Sequence, residues 1–411
     1  MKTLKVTLKQ HTPLIHFQHD QYGATLRASE FKPRFDRYLT QILEHDNYNY
    51  WKRFLVGSVV GANIDETAGT TTQNNLDRRD AKLEAKFNEG FCALDYKLKV
   101  ITSGNTSQKM ESLPMYFANQ GNNVEEKYDV YRQTDVILEF SSFHSELLAL
   151  IKEHIKDFLA RTNFGARQTK GYGSFYLKGE EPKKANYYFI VKTSDLVTLF
   201  KSISDFYAVI RSGIKTGMYI KSALFKYLKE NDRQWDKRTI KGFFYSNSEI
   251  KAKQTEHPET DSPLVEVSSG SNIMYKELLG LSTNESWQKK GAKLTRQNAD
   301  IQRFKSPILF KPILVEEEEK SYFKVFIYFS PIPQEIRGAS FKITWSLKPE
   351  DPKTMYMDSD FFYIESYFTW IYNNKSGLIP MLASSDPNSL SKSHQSRYDT
   401  LNRLFNSLTK G

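Results

Sequence analysis

Within the first 180 positions the apolar residues change spacing in an order that few folds accept. Leu4, Val6 and Leu8 alternate with polar residues, the period of a strand with one buried face. Phe31, Phe35, Leu39 and Leu43 share one face of a helix. Ser29 is available to cap that helix, and Pro33 removes one of its early backbone bonds. Alternation returns at Cys92, Leu94, Tyr96, Leu98 and Val100, and again at Val136, Leu138 and Phe140. Leu147, Ile151, Ile155 and Phe158 then have helical spacing, in a helix ending at Gly165, and Phe175 to Lys178 begins a fourth strand. Strand, helix, strand, strand, helix, strand is the ferredoxin-like order.

Two polar stretches rich in Asn, Thr, Gln and Gly, 57–90 and 103–132, read as excursions from this plan. A charged linker follows at Gly179-Glu180-Glu181-Pro182-Lys183-Lys184, and the plan begins again. Tyr188 to Val191 reads as a strand, and Leu196, Leu199, Ile203, Tyr207 and Ile210 as an amphipathic helix. Ile308 to Val315 and Phe323 to Phe329 read as paired strands around the acidic turn Glu316-Glu317-Glu318-Glu319. Residues 246–272 are polar and unpatterned, and 360–374 are aromatic-rich and helical. The expected class is α+β: tandem ferredoxin-like (RRM-like, β-α-β-β-α-β) domains, 1–179 and 187–411, with polar insertions and a C-terminal helical extension. A length of 411 residues, beyond one ordinary core, agrees.

Charge points to a polyanion. The chain has 58 Lys+Arg against 48 Asp+Glu, a net charge of +10. Aromatics make up 14% of the residues and are interleaved with cations, a mixture that suits large cores and equally suits stacking on single-stranded RNA. The single cysteine, Cys92, excludes a disulfide framework and a multi-cysteine zinc site. With no apolar run long enough to span a bilayer and no apolar leader at Met1 to Lys5, a soluble cytoplasmic protein is expected.

The segment from Asn163 to Phe175 places Gly165, Gly171 and Gly173 beside Arg167, Lys170 and Tyr172. Glycines let backbone approach a ligand closely, the cations suit phosphates, and the tyrosine offers a stacking face. A helix C-cap at Gly165 followed by a plain turn would read the same way. No G-x-G-x-x-G opens a helix here and no G-x-x-x-x-G-K-[ST] occurs, so neither dinucleotide nor ATP fingerprint is present. Further on, residues 211–241 hold nine cations against three acids, with Tyr219, Phe225, Tyr227 and Trp235 among them. Each of these cations alone fits a solvated helix face, whereas the cluster favours RNA.

The run Gly165 to Phe175 resembles the glycine-rich loop of the RAMP superfamily of CRISPR-associated RNA-binding proteins. Thr12-Pro13-Leu14-Ile15-His16 and Leu26-Arg27-Ala28-Ser29-Glu30-Phe31-Lys32, continuing to Arg34-Phe35, are similar to that superfamily's first loop and helix entry. Two departures stand out: Pro33 replaces the usual glycine, and Phe17-Gln18-His19 stands where Gly-Gly is expected. Tyr219 to Ser222, Trp235 to Arg238 and Phe304 to Pro312 resemble the second domain of the first, two-RAMP-domain subunit of the type III-B effector complex. The resemblance implies a non-catalytic subunit capping the complex near the guide RNA's 3′ portion. Its implied partners are guide (CRISPR) RNA, target RNA and other RAMP subunits, with no cofactor, metal or membrane. The implied RNA-binding residues are Arg27, Lys32, Arg34, Gly165, Arg167, Lys170, Gly171, Tyr172 and Gly173. In the second half the charge cluster of residues 211–241 gives Lys215, Lys221, Arg238 and Lys241 as RNA-binding candidates.

An endoribonuclease processing guide precursors is the alternative, because some RAMP proteins do this. It needs a general base and acid, for which His11, His16 and His19 are the candidates. With Asp20 the same loop also resembles a metal cluster, although one H-x-x-H without a second group is a weak signal. The superfamily's processing enzymes carry this loop near the C-terminus, whereas here it precedes the midpoint. No Gly-Gly-Asp-Asp run supports the cyclic-nucleotide synthase role of the large subunit, so the resemblance implies a binding subunit.

Overall fold

In the computed structural model the described residues are 1–15, 26–42, 48–58, 70–89, 93–102, 108–110, 130–132, 135–244, 272–287, 292–318, 320–387 and 390–411. They group into two compact units, the first ending at Lys183 and the second running from Lys184 to Gly411, with Thr169–Gly171 grouped in the second.

In the first unit, β1 (Lys2–Gln10), α1 (Ala28–Ile42), β2 (Lys97–Thr102), β3 (Asp135–Ser142), α2 (Ser145–Ala160) and β4 (Phe175–Leu177) follow in turn. The sheet order is β2-β3-β1-β4, every pair antiparallel, so the fourth strand lies beside the first. Val136, Leu138 and Phe140 are fully buried, as their alternation requires. Phe31 and Phe35 of α1 meet Phe158 of α2 at ring-centroid distances of 5.2 and 4.8 Å. Truncating one such buried ring to alanine costs about 3–5 kcal/mol.

Three local expectations shift. The second strand begins at Lys97 rather than Cys92, which lies outside the described residues. Leu94 is instead held by α1: its N–H donates to Asp36 Oδ2 at 3.1 Å and its carbonyl accepts from Lys32 Nζ at 2.7 Å. The second helix stops at Ala160, ahead of Gly165. Within the stretch expected to be an irregular insertion, Thr70–Asn88 is a helix. Its second half, from Asp77 on, is dominated by the good helix formers Ala, Lys, Arg, Glu and Leu.

The second unit repeats the plan. β5 (Tyr187–Val191), α3 (Leu196–Arg211), β6 (Ile214–Thr216), β7 (Met218–Ile220), α4 (Ala223–Glu230) and α5 (Asp236–Phe244) come first. β8 (Ile308–Glu316), β9 (Ser321–Phe329), α6 (Lys392–Asn406) and β10 (Thr409–Lys410) complete it. The sheet order is β8-β9-β5-β10, the same arrangement as in the first unit. The turn between β8 and β9 is the acidic one, closed by Glu317 N–H to Lys320 C=O at 2.9 Å. Phe206 of α3 stacks on Phe189 of β5 at 4.7 Å and on Phe405 of α6 at 4.5 Å.

Between the repeats' shared elements the second unit carries a five-stranded sheet. Its order is Ile273–Met274, Lys348–Met357, Ser340–Trp345, Ala292–Gln297 and Asn284–Trp287. The aromatic run expected to be helical forms Ile364–Asn374. Among the described residues no helix is long and apolar enough to cross a membrane.

Candidate nucleic-acid interface

The glycine-rich loop is a built structure fastened at many points. Phe164 N–H donates to Gly173 C=O at 3.0 Å, Gly173 N–H to Pro13 C=O at 2.8 Å, and Ala166 N–H to Ile15 C=O at 2.9 Å. The Glu30 carboxylate accepts the Gly165 N–H at 2.7 Å. Arg34 donates to Asn163 C=O at 2.9 Å and to Gln168 Oε1 at 3.2 Å. Gln168 returns a bond to Gly165 C=O at 2.7 Å, and Asn163 Nδ2 donates to Gln168 C=O at 2.7 Å. Phe164 anchors the whole in the core against Phe31, with ring centroids 5.6 Å apart.

Two glycines are demanded by space as well as by φ. A Cβ on Gly173 (φ 66°) would collide with the Phe164 carbonyl oxygen. One on Gly165 (φ 74°) would lie 2.5 Å from that of Ile15. The residues expected to touch RNA here are largely committed inward. Tyr172 is only 2% exposed, so the stacking face expected of it is packed away. Lys32 bonds Asp36 at 2.7 Å and lies over the Tyr96 ring at 3.8 Å. Lys170 sits over the Tyr207 ring, 2.7 Å from its centroid. Gly171 and Gly173 are buried, while Gly165, Arg167 and Lys170 remain half-buried, as does Arg27. The Arg27 carbonyl accepts from the backbone N–H groups of Glu30 and Phe31 at the start of α1.

Of the histidine loop, His11 is buried and its backbone N–H donates to Ser174 C=O at 2.8 Å. His16, His19 and Asp20 lie outside the described residues. Among the described residues there is no group of three His, Cys, Asp or Glu that could hold a metal.

The basic segment divides in two. Arg211 turns inward, 2.8 Å from Glu277 and bonded to Gly280 C=O at 2.7 Å. Glu277 also meets Arg296 at 2.8 Å, and Lys276 and Arg296 converge on Glu285 at 2.7 and 2.8 Å. Burial alone would push both carboxyls up, but the surrounding Lys276 and Arg296 cations, with Arg211 at Glu277, hold both below their ordinary value. Asp236, at the start of α5, goes the other way: burial, then the neighbouring Glu277 charge, pushes it up to about 6. Burial and the Lys276 charge also pull Lys237 down. By contrast Lys215 is exposed, and Lys221, Arg238 and Lys241 are partly so. Those four make no ion pair among the described residues. Of the four cations named from the sequence in this segment, Lys215 lies fully at the surface and the others are half-buried, whereas Glu30, Asn163 and Gln168 were missed. The partners of those three include residues distant in sequence, so no local pattern marks them.

Residues 1–214 match the model of the Cmr1 N-terminal domain, and residues 219–382 that of the Cmr1 C-terminal domain. The chain belongs to the Cmr1 family. It is accordingly a RAMP subunit of a type III-B CRISPR effector complex. The family's N-terminal domain runs past Lys183, where the first four-stranded unit closes, and takes in β5 and α3 of the next. The crystal structure of Cmr1 from Pyrococcus furiosus (apo form) is similar at 11% identity over 82% of this chain and 91% of that one. Its TM-score is 0.32, a loose superposition that says nothing of the site. No curated protein sequence matches the chain.

Proposed function

We propose that this Cmr1-family chain is a non-catalytic RNA-binding end cap of the effector complex, built as two RAMP domains, 1–179 and 187–411. It contacts the guide RNA's 3′ portion and the matching end of the target, alongside other RAMP subunits. The observation that carries the proposal is the open cation set Lys215, Lys221, Arg238 and Lys241, unpaired among the described residues in a segment where Arg211 is internally bonded. Cations without carboxylate partners gain most from meeting phosphate, through release of condensed counterions. In the first unit, considered by itself, Arg27 and Gly165 are half-buried and remain candidate contacts, whereas Tyr172 is packed away.

Mobility shifts with guide-like single-stranded RNA, run beside a denaturing gel, test the proposal. Retarded, intact RNA is the expected result. Cleavage at one position would replace this function with precursor processing.

A further inference from the structure

The β6–β7 ribbon carries more than cations. Its register sets Tyr219 directly opposite Lys215, and side-chain alternation puts both on the face that holds Gly217. That face is open: Lys215, Gly217 and Tyr219 are exposed, whereas Thr216, Met218 and Ile220 are buried. Two glycines make room there for two rings. A Cβ on Gly213 (φ 80°) would lie 2.6 Å from the Tyr219 hydroxyl oxygen and 3.0 Å from Cζ, and that hydroxyl donates to Ser212 C=O at 3.2 Å. A Cβ on Gly217 (φ 82°) would lie 2.6 Å from Cγ and 2.7 Å from Nδ1 of His394. The imidazole thus fills the place of the side chain missing at 217, with Nδ1 2.9 Å from Ser391 Oγ. Tyr219 is fixed in turn by Ser384, whose Oγ accepts its N–H at 3.2 Å and whose N–H donates to its carbonyl at 3.0 Å.

The outcome is one lysine and two rings carried on the same exposed face, with Tyr219 46% exposed although its hydroxyl is bonded. Residues 214–221 include two lysines and no acid. Resting on the RNA-binding function above and refining it, we infer that this ribbon is a stacking platform for one unpaired nucleobase of single-stranded RNA. The base lies on the Tyr219 ring, His394 lines the same face at Gly217, and Lys215 neutralises a flanking phosphate. Stacking of this kind tolerates any base, which suits a guide whose sequence varies. A protein partner fits less well, because the aliphatic side chains Met218 and Ile220 turn inward and leave the open face to cations and rings.

The test uses the full chain and a fluorescent oligouridine of about twelve nucleotides. Tyr219→Leu keeps apolar cover over Gly213 but has no π-face. It is expected to unfold like the parent, to bind RNA about fivefold or more weakly, and to keep the parent's salt slope. Tyr219→Phe should bind as the parent does, and Lys215→Ala should flatten the slope by about 0.7. Photo-crosslinking of 5-iodouridine RNA should label Tyr219. If Tyr219→Leu binds like the parent while Arg238→Ala and Lys241→Ala weaken binding, the platform is wrong and the RNA-binding function stands. If that variant binds RNA normally but fails to assemble with a neighbouring subunit, the ribbon is a protein contact and the inference is overturned. A parent chain that binds no RNA at low salt overturns both.

Discussion

Asp205 of α3 accepts two hydrogen bonds from the guanidinium of Arg397 on α6, 2.9 Å from Nε and 2.6 Å from Nη2. This fork ties together the two helices of the second ferredoxin-like unit, and only arginine supplies its geometry. Asp205 is buried whereas Arg397 is about a third exposed. Arg397→Ala therefore strands a desolvated carboxylate and should cost about 2 kcal/mol in urea unfolding with an unchanged m-value. Arg397→Lys should recover less than half of that. A cost near zero would mean that water replaces the guanidinium.

Glycines in and just beyond the glycine-rich loop should tolerate alanine very unevenly. At Gly179 (φ 77°) a Cβ meets nothing within 4 Å, so only the left-handed backbone is penalised, by about 1 kcal/mol. At Gly173 the same methyl collides with the Phe164 carbonyl, and the cost should be about 3 kcal/mol or more. Thermal melts of the two variants, compared under one condition, decide the ranking.

Acid should act on the buried charge cluster in two opposing ways. Asp236 is raised from 3.8 to about 6, so the stability it contributes is complete below pH 3.8 and is lost as pH rises through about 6. Glu277 and Glu285 are lowered from 4.5, so theirs is present above that pH and lost as pH falls below it. Asp236→Asn removes the first effect alone while keeping an acceptor for the Tyr275 and Lys276 N–H groups. Relative to the parent it should gain on the order of 2–3 kcal/mol between pH 4 and pH 7.5. An unchanged difference across that range would place the titration elsewhere.

RNA affinity should separate the outward cations from the inward ones. Arg238→Ala and Lys241→Ala should each flatten the salt dependence by about 0.7 without changing the melting temperature. Lys32→Ala should do the reverse, because its ammonium bonds Asp36 and the Leu94 carbonyl. Fluorescence anisotropy over a salt series, paired with melts, reads both quantities.

Both four-stranded sheets were legible wherever one strand face is buried, as at Val136, Leu138 and Phe140, because alternation is then imposed by packing. The pattern misled at Cys92 to Tyr96, where apolar alternation continues but Leu94 makes only an isolated antiparallel bridge with Leu55, and side chains of α1 hold its remaining backbone groups. Helix α6 also carries a signal, in the apolar face formed by Tyr398, Leu401, Leu404 and Phe405, yet the polar residues before it hide its start. The loop's fastenings were not legible at all. Glu30 meets Gly165, and Arg34 meets Asn163 and Gln168, across more than a hundred residues, and neither periodicity nor composition reports a contact at that separation. For the same reason Arg211 read as an open cation, although its carboxylate partner, Glu277, is buried beside it.

The strand order of the second unit also sets a timetable. β5 pairs with β9 on one side and with β10 on the other, so residues 187–191 wait for 321–329 and then for 409–410. At about 5–20 residues per second, a ribosome needs on the order of ten seconds to deliver the first of those partners. Throughout that interval Tyr187-Tyr188-Phe189-Ile190-Val191 is an apolar strand with two open edges, and the hazard of mispairing falls on the nascent chain rather than on the finished protein.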